Sequence, residues 1–377
     1  MTYHSVLRAA ACCVLLGACR SEPPIPRLAF APLISEADTA FGLLNRMDVR
    51  SCTIGVYDHS NRRFHLWSGG PSWQTFGSSG HGPGEIRHPM AIAVVPDGGL
   101  LTLDWGRRRI VRYDSGGTAI GDLAIGSALG RLGFVGSLLA LRDGGWIEAP
   151  LGGQVIGRMA PFNPDSARLL MRYGPDGELR QSWGSLLTVP PEAAGRAGAT
   201  ELWQAGESFL FGDSLVTWFN RAGHVQIYAL DDPAPHPLRQ FTIDAPRSVV
   251  VTASSESVDS NGVLKASGPP FVPIGGPGAM DAEGRLFLIL FESATDDDGA
   301  TWPRERLAVF DLHGALIGQY RLSTRNTRTI RIARDGSILV LSHPSADDLD
   351  SWSLLMTEPL FQSDSTRCTW PQPSPVT

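Results

Sequence analysis

Residues 90–123 read MAIAVV, PDG, GLLTLD, WGRRR, IVRYD, SGG, TAIGDL, and this stretch decides the fold. Apolar or alternating runs of five or six residues are punctuated by turn formers. That is the signature of consecutive short strands, because a run this short is below helix length. Asp97-Gly98 marks a hairpin turn, since glycine accepts the positive φ that tight turns demand. Ser115-Gly116-Gly117 marks a second. The stretch predicts four antiparallel strands in one meander.

The same order recurs along the chain with drift. One copy has CTIGVYD at 52–58, FHLWS at 64–68 and WQTFG at 73–77. Another has Asp143-Gly144, GWIEAP, RLLMRY at 168–173, Pro175-Asp176-Gly177 and ELRQSWG. A third has Gly212-Asp213, SLVTWF, HVQIYAL and PLRQF; a fourth has Glu283-Gly284, RLFLIL, LAVFD at 307–311 and GALIGQY. A fifth has Asp335-Gly336, SILVLS and WSLLM. Trp67, Tyr113, Tyr173, Tyr228 and Phe310 close the third strand in five of the six units. A lone small sheet cannot bury both faces, and stacking such units around an axis solves that. The expectation is an all-β, six-bladed β-propeller of four-stranded antiparallel blades over residues 36–370. A seven-bladed ring and a two-sheet sandwich are the alternatives, and the length of chain argues against the sandwich.

Gly80-His81-Gly82-Pro83-Gly84-Glu85-Ile86-Arg87-His88-Pro89, followed by the strands above, resembles the NHL-type six-bladed propeller repeat. That repeat has a Gly-Pro-Gly-Glu loop, a proline, a strand, an Asp-Gly turn, a strand ending in Asp, and Arg-Ile before the third strand. Ile86 stands where an aromatic is usual, and Arg107 or Arg108 where Asn is common. The other five copies are degenerate. The resemblance implies the fold and leaves the activity open, because propellers host many functions.

Composition agrees. The chain carries 42 glycines and 28 prolines in 377 residues, 19% charged and 42% hydrophobic residues, and a net charge of −6. Low charge with ample apolar content excludes a disordered chain, and abundant glycine excludes a coiled coil. The mildly acidic balance gives no reason to expect nucleic acid as a partner.

Residues 1–18, MTYHSVLRAAACCVLLGA, read as a secretory signal: Arg8 is the positive start, and the following apolar run is too short to span a bilayer. Leu16-Gly17-Ala18-Cys19 resembles the bacterial lipobox, which implies lipidation of Cys19 and a lipid-anchored tether over 19–35. Arg20, in place of the Asp of inner-membrane retention, leans toward the outer membrane or its periplasmic face. Cys12 and Cys13 leave with the signal. Cys52 and Cys368 then remain, in an oxidising compartment, and a closed ring would bring them together as a disulfide. Residues 371–377 form a tail.

Site candidates follow from loop type. The loop entering a blade and the loop between its second and third strands open on one face of the ring. Arg87 and His88 sit in the entry loop of the clear unit, and Trp105, Arg107 and Arg108 in its second-to-third loop, placed to meet an anionic ligand. Asp104 is expected to accept hydrogen bonds within its own turn. Residues 252–276 form a long connector holding Lys265, the only lysine, and are a candidate lid over the channel mouth. Asp296 and Asp298 are weak candidates for calcium, since hard cations want many oxygens but the spacing is not that of an EF-hand. With His343, Asp347, Asp348 and Asp350 they make an acidic sector beside the basic one. No nucleophile elbow, zinc-protease helix, phosphate loop or Cys-x-x-Cys pair occurs. The reading is an exported, lipid-anchored, monomeric binding scaffold at the cell envelope, without a cofactor, for a protein, glycan or small molecule. The alternative is a metal-dependent, lactonase-like hydrolase or lyase with its site in the axial channel.

Overall fold

The computed structural model describes residues 25–35, 41–70, 72–124, 135–150, 169–191, 203–232, 236–243, 255–258, 264–267, 275–295, 301–324, 326–342, 353–361 and 367–371. Six four-stranded antiparallel sheets form a six-bladed propeller. From axis to rim, blade 1 is Leu44–Arg50, Thr53–Asp58, Arg63–Trp67 and Gln74–Phe76. Blade 2 is Pro89–Val94, Leu100–Asp104, Arg109–Tyr113 and Ala119–Ala124, as the opening stretch predicts. Blade 3 is Val135–Ala140, Trp146–Pro150, Leu170–Tyr173 and Leu179–Trp183; blade 4 is Gly206–Phe211, Ser214–Phe219, His224–Ala229 and Arg239–Thr242. Blade 5 is Gly275–Met280, Leu286–Thr295, Thr301–Phe310 and Leu316–Arg321. Blade 6 is Thr327–Ile332, Ile338–Ser342 and Ser353–Thr357, completed on its rim by Ala31–Ser35.

The second strands read as unbroken apolar runs because both of their faces are covered. In blade 5, Leu286, Leu288 and Leu290 join a core with Val216, Trp218 and Val225 of blade 4. Phe287 and Ile289, on the opposite face, join Ile338 and Val340 of blade 6. Six such cores occur, one at each blade junction. Burying one large side chain there contributes roughly 1.5–3 kcal/mol, so every junction stabilises two blades at once. The turns between strands rest on Asp-Gly chemistry. Gly98 has φ +85° and its N–H donates to Val95 O, while Asp97 Oδ1 accepts the Gly99 N–H.

Ring closure uses both ends of the domain. Ala31–Ser35 pairs antiparallel with Ser353–Thr357, and Leu28 is buried between blades 5 and 6. The boundary at residue 36 is therefore corrected: the end of the expected 19–35 tether belongs to the propeller. Cys52 and Cys368 form a disulfide with Cα atoms 5.4 Å apart. Asp335, in the first turn of blade 6, accepts the Cys368 N–H (3.1 Å) and Trp370 Nε1–H (3.2 Å), and Trp67 Nε1–H donates to Thr369 O.

The inner strand of blade 5, Gly275–Met280, reads GGPGAM and carries no strand signal. It fits because the approach is close: a Cβ on Gly275 would lie 2.4 Å from Ile289 O. Pro277 is tolerated because the axial edge needs no ladder donor there. Within the preceding connector, Ser255–Val258 and Leu264–Ser267 pair as a hairpin, with Lys265 opposite Ser257. Asp296 and Asp298 lie outside the described residues, as do the signal peptide, Cys19, the residues 371–377 tail beyond Pro371, and the blade 6 loop with His343 and Asp347. Among the described residues, no helix is long and apolar enough to cross a membrane.

Candidate functional site: the axial channel

The six innermost strands surround a cavity of about 340 Å³ on the propeller axis. Each of these strands has one side without a sheet partner, and unpaired edge groups must be satisfied. Polar side chains from neighbouring blades do this. Asp48 Oδ2 accepts the Val94 N–H (2.8 Å), Ser137 Oγ accepts the Ser208 N–H (3.0 Å), and Glu207 Oε2 accepts the Gly278 N–H (3.1 Å). Arginines cover the carbonyls: Arg46 Nε–H donates to Met90 O (2.7 Å) and Arg50 Nη1–H to Ala140 O (2.8 Å).

The waist of the channel is an ion-pair belt. Arg331 Nε lies 3.1 Å from Asp48 Oδ1, and its Nη1 lies 3.6 Å from Glu207 Oε2. Burial raises the Glu207 carboxyl, against the opposing pull of Arg331 and the Gly278 N–H. Burial lowers the Arg46 guanidinium, and the Arg328 charge adds to that. Arg50 is also lowered by burial, with Asp48 opposing. The strand Leu44–Arg50 runs along the channel at roughly 3.3 Å per residue, so Arg46 and Arg50 stand about two residues either side of Asp48, toward opposite mouths. The remaining wall is apolar: blades 2 and 3 contribute Met90, Ile92, Leu138 and Leu139.

The residues singled out from sequence gather elsewhere. Arg87, His88, Trp105, Arg107 and Arg108 meet in the loops at the entry end of blade 2, outside the lining of the axial cavity. Asp104, fully buried, organises them by accepting the Arg87 N–H (3.0 Å) and His88 N–H (2.9 Å). Its hydrogen bonds therefore tie the entry loop, while across its own turn it faces Arg109 Nε at 3.7 Å. Asp58, in blade 1, ties both, accepting the Gly42 N–H (2.6 Å) of the entry segment and the Asn61 N–H (2.9 Å) of its own turn. Arg107 donates to Gly82 O and His81 O and so builds the loop. Arg87, His88 and Arg108 are exposed, and Arg108 has φ +49°. The cavity residues Arg46, Asp48, Arg50, Glu207, Arg328 and Arg331 lack any linear motif. Their one sequence signal is charge at alternate positions 46, 48 and 50 of LNRMDVR, the strand that precedes the apolar second strand of blade 1.

One further carboxyl is buried away from the cavity. Glu148, in the second strand of blade 3, is fully inaccessible and sits in register between Leu138 and Met171. Trp146 Nε1–H donates to its Oε1 (3.2 Å), and its Oε2 has no partner among the described residues. Burial pushes this carboxyl up to about 8. Among the described residues, no three His, Cys, Asp or Glu side chains gather in a group able to hold a metal ion.

No protein-family model matches the chain, and no curated protein matches it. Solved structures do. A Bacteroides fragilis protein assigned as exported is 10% identical with a TM-score of 0.53, covering 89% of this chain and 95% of its own. A luciferin-regenerating enzyme is 11% identical, with a TM-score of 0.51 over 88% and 96%. A Bacteroides vulgatus protein of a family of unknown function is 8% identical, with a TM-score of 0.51 over 89% and 96%. At such identities the likeness is one of fold, and it agrees with the six-bladed ring built from the sequence repeat.

Proposed function

We propose that the protein is an exported propeller that binds a small molecule in its axial channel and is held at the cell envelope by lipid on Cys19. The observation that carries this reading is the cavity itself: about 340 Å³, the scale of a small-molecule site, with a charged belt on one side set against an apolar wall on the other. The Cys52–Cys368 disulfide supports an oxidising, extracytoplasmic location. Leu139→Trp, which fills the cavity from the apolar wall, tests the channel. Small molecules that raise the thermal midpoint of the wild type are expected to leave the variant unmoved; equal shifts in both proteins would overturn the reading. Cys19→Ala is expected to abolish membrane association after fractionation, and unchanged association would remove the anchor.

The metal-dependent hydrolase requires several converging oxygen or nitrogen ligands. In the described channel the two carboxylates, Asp48 and Glu207, are already bonded to Arg331 and to backbone N–H groups. That donor set does not fit a cation. Elemental analysis of protein purified without chelator tests the point, since a stoichiometric divalent metal would favour the enzyme.

A further inference from the structure

Four arginines, Arg46, Arg50, Arg328 and Arg331, line the cavity against two carboxylates, Asp48 and Glu207. This gives the axis an excess of positive charge inside a chain whose net charge is −6. Both carboxylates face Arg331 and each also accepts a backbone N–H. Arg46, Arg50 and Arg328 have no carboxylate within ion-pair distance among the described residues. Arg46 is instead held in place by neutral acceptors, Met90 O through Nε–H and Asn45 O through Nη1–H (2.8 Å). A guanidinium buried as Arg46 is, with no ion-pair partner among the described residues, is unfavourable, so an anion seated beside it relieves a cost already present in the protein.

Arg46 and Arg328 stand near the start of adjacent inner strands, Leu44–Arg50 and Thr327–Ile332, and so at the same end of the channel. The Arg328 charge reaches Arg46. A planar guanidinium matches a carboxylate through paired N–H donors, and two guanidiniums at one mouth form a seat for that group. The facing wall of Met90, Ile92 and Leu139 has nothing to offer a fully hydrated ion, but it suits a hydrocarbon body.

Resting on the reading of the channel as a ligand site, we infer that the ligand is an amphipathic organic carboxylate, its head group seated on Arg46 and Arg328 and its apolar body along Met90, Ile92 and Leu139. Arg50 supplies the same sign of charge toward the opposite mouth and draws anions into the channel from either side.

Titration calorimetry with octanoate, its uncharged counterpart octanamide, and inorganic phosphate tests the inference on the full chain. Octanoate is expected to bind at least tenfold more tightly than octanamide and than phosphate. Arg328→Gln is the diagnostic variant, because Arg328 is exposed and makes no hydrogen bond or ion pair among the described residues, so the fold does not depend on it. It is expected to erase most of the octanoate advantage. Arg46→Gln is expected to do the same, and Arg142→Gln, outside the cavity lining, to leave it intact. Equal binding of octanoate and octanamide overturns the inference, as do phosphate binding as tight as octanoate, an Arg328→Gln variant with wild-type selectivity, or no octanoate binding. The channel reading is separable: it survives those results if an uncharged molecule binds wild type and is blocked by Leu139→Trp, and fails with them if none does.

Discussion

Replacing Glu148 with glutamine is expected to stabilise the protein, and by an amount that depends on pH. The side chain is fully buried, with one hydrogen bond from Trp146 and a second oxygen without a partner among the described residues. Its carboxyl is raised from the ordinary 4.5 to about 8. The native state therefore holds a proton that the unfolded chain gives up above pH 4.5. Stability linked to that proton is fully present below pH 4.5 and is lost as pH rises toward 8. Each pH unit well inside the window is worth about 1.4 kcal/mol and less near its two ends, so the wild type loses about 3.5 kcal/mol between pH 5 and pH 8 from this one group. Glutamine keeps the shape and the acceptor for Trp146 but does not titrate. Urea unfolding followed by tryptophan fluorescence is expected to give similar stabilities for Glu148→Gln and wild type at pH 5. At pH 8 the variant is expected to lead by about 3.5 kcal/mol, the figure set by the linkage. Parallel pH profiles, or a variant weaker at pH 8, would refute the reasoning.

Three other outcomes follow from the same structure. Cys52→Ser with Cys368→Ser opens a link with a sequence separation of 316 residues; chain-entropy bookkeeping sets the loss at about 6 kcal/mol, and an unchanged urea midpoint would contradict it. Arg331→Met leaves Asp48 and Glu207 facing each other across the waist; because these groups are about one-fifth exposed, a cost of about 2 kcal/mol is expected at pH 7. That deficit should shrink toward pH 4, as Glu207, the raised carboxyl, takes up its proton, and a deficit that grows instead would count against the belt. Asp335→Ala frees the donors of Ser337, Cys368 and Trp370; calorimetry is expected to show a loss of about 2 kcal/mol, and a loss below about 0.5 would mean that the C-terminal segment is held by its packing alone.

Blade 2 was legible in the sequence almost to the residue, because its strands are joined by short turns with strong glycine and aspartate signals. The disulfide followed from the arithmetic of cysteines and a closed ring. The strand Ala31–Ser35 was hidden for the opposite reason: its partner, Ser353–Thr357, lies at the far end of the chain, and APLIS on its own has neither alternation nor a flanking turn. Gly275–Met280 was hidden because close packing, not strand propensity, selects its glycines. The axial charges escape a reading by loop type, which favours Arg87, His88 and Arg107. The inner strands LNRMDVR and TRTIRI carry their arginines in plain view, but only the ring shows that Asp48, Glu207 and Arg331, from blades 1, 4 and 6, meet.

The joining of Ala31–Ser35 to Ser353–Thr357 also has a temporal meaning. A polypeptide made from its N-terminus releases this strand before its mate, which comes more than 300 residues later. Until then the growing polymer is an incomplete crescent, with bare hydrogen-bonding groups at its leading strand and an apolar sheet face at the trailing one. Neighbouring crescents are mutually adhesive by the same geometry that later seals each into itself. Until the last blade arrives, the unfinished form is therefore at its most prone to self-association.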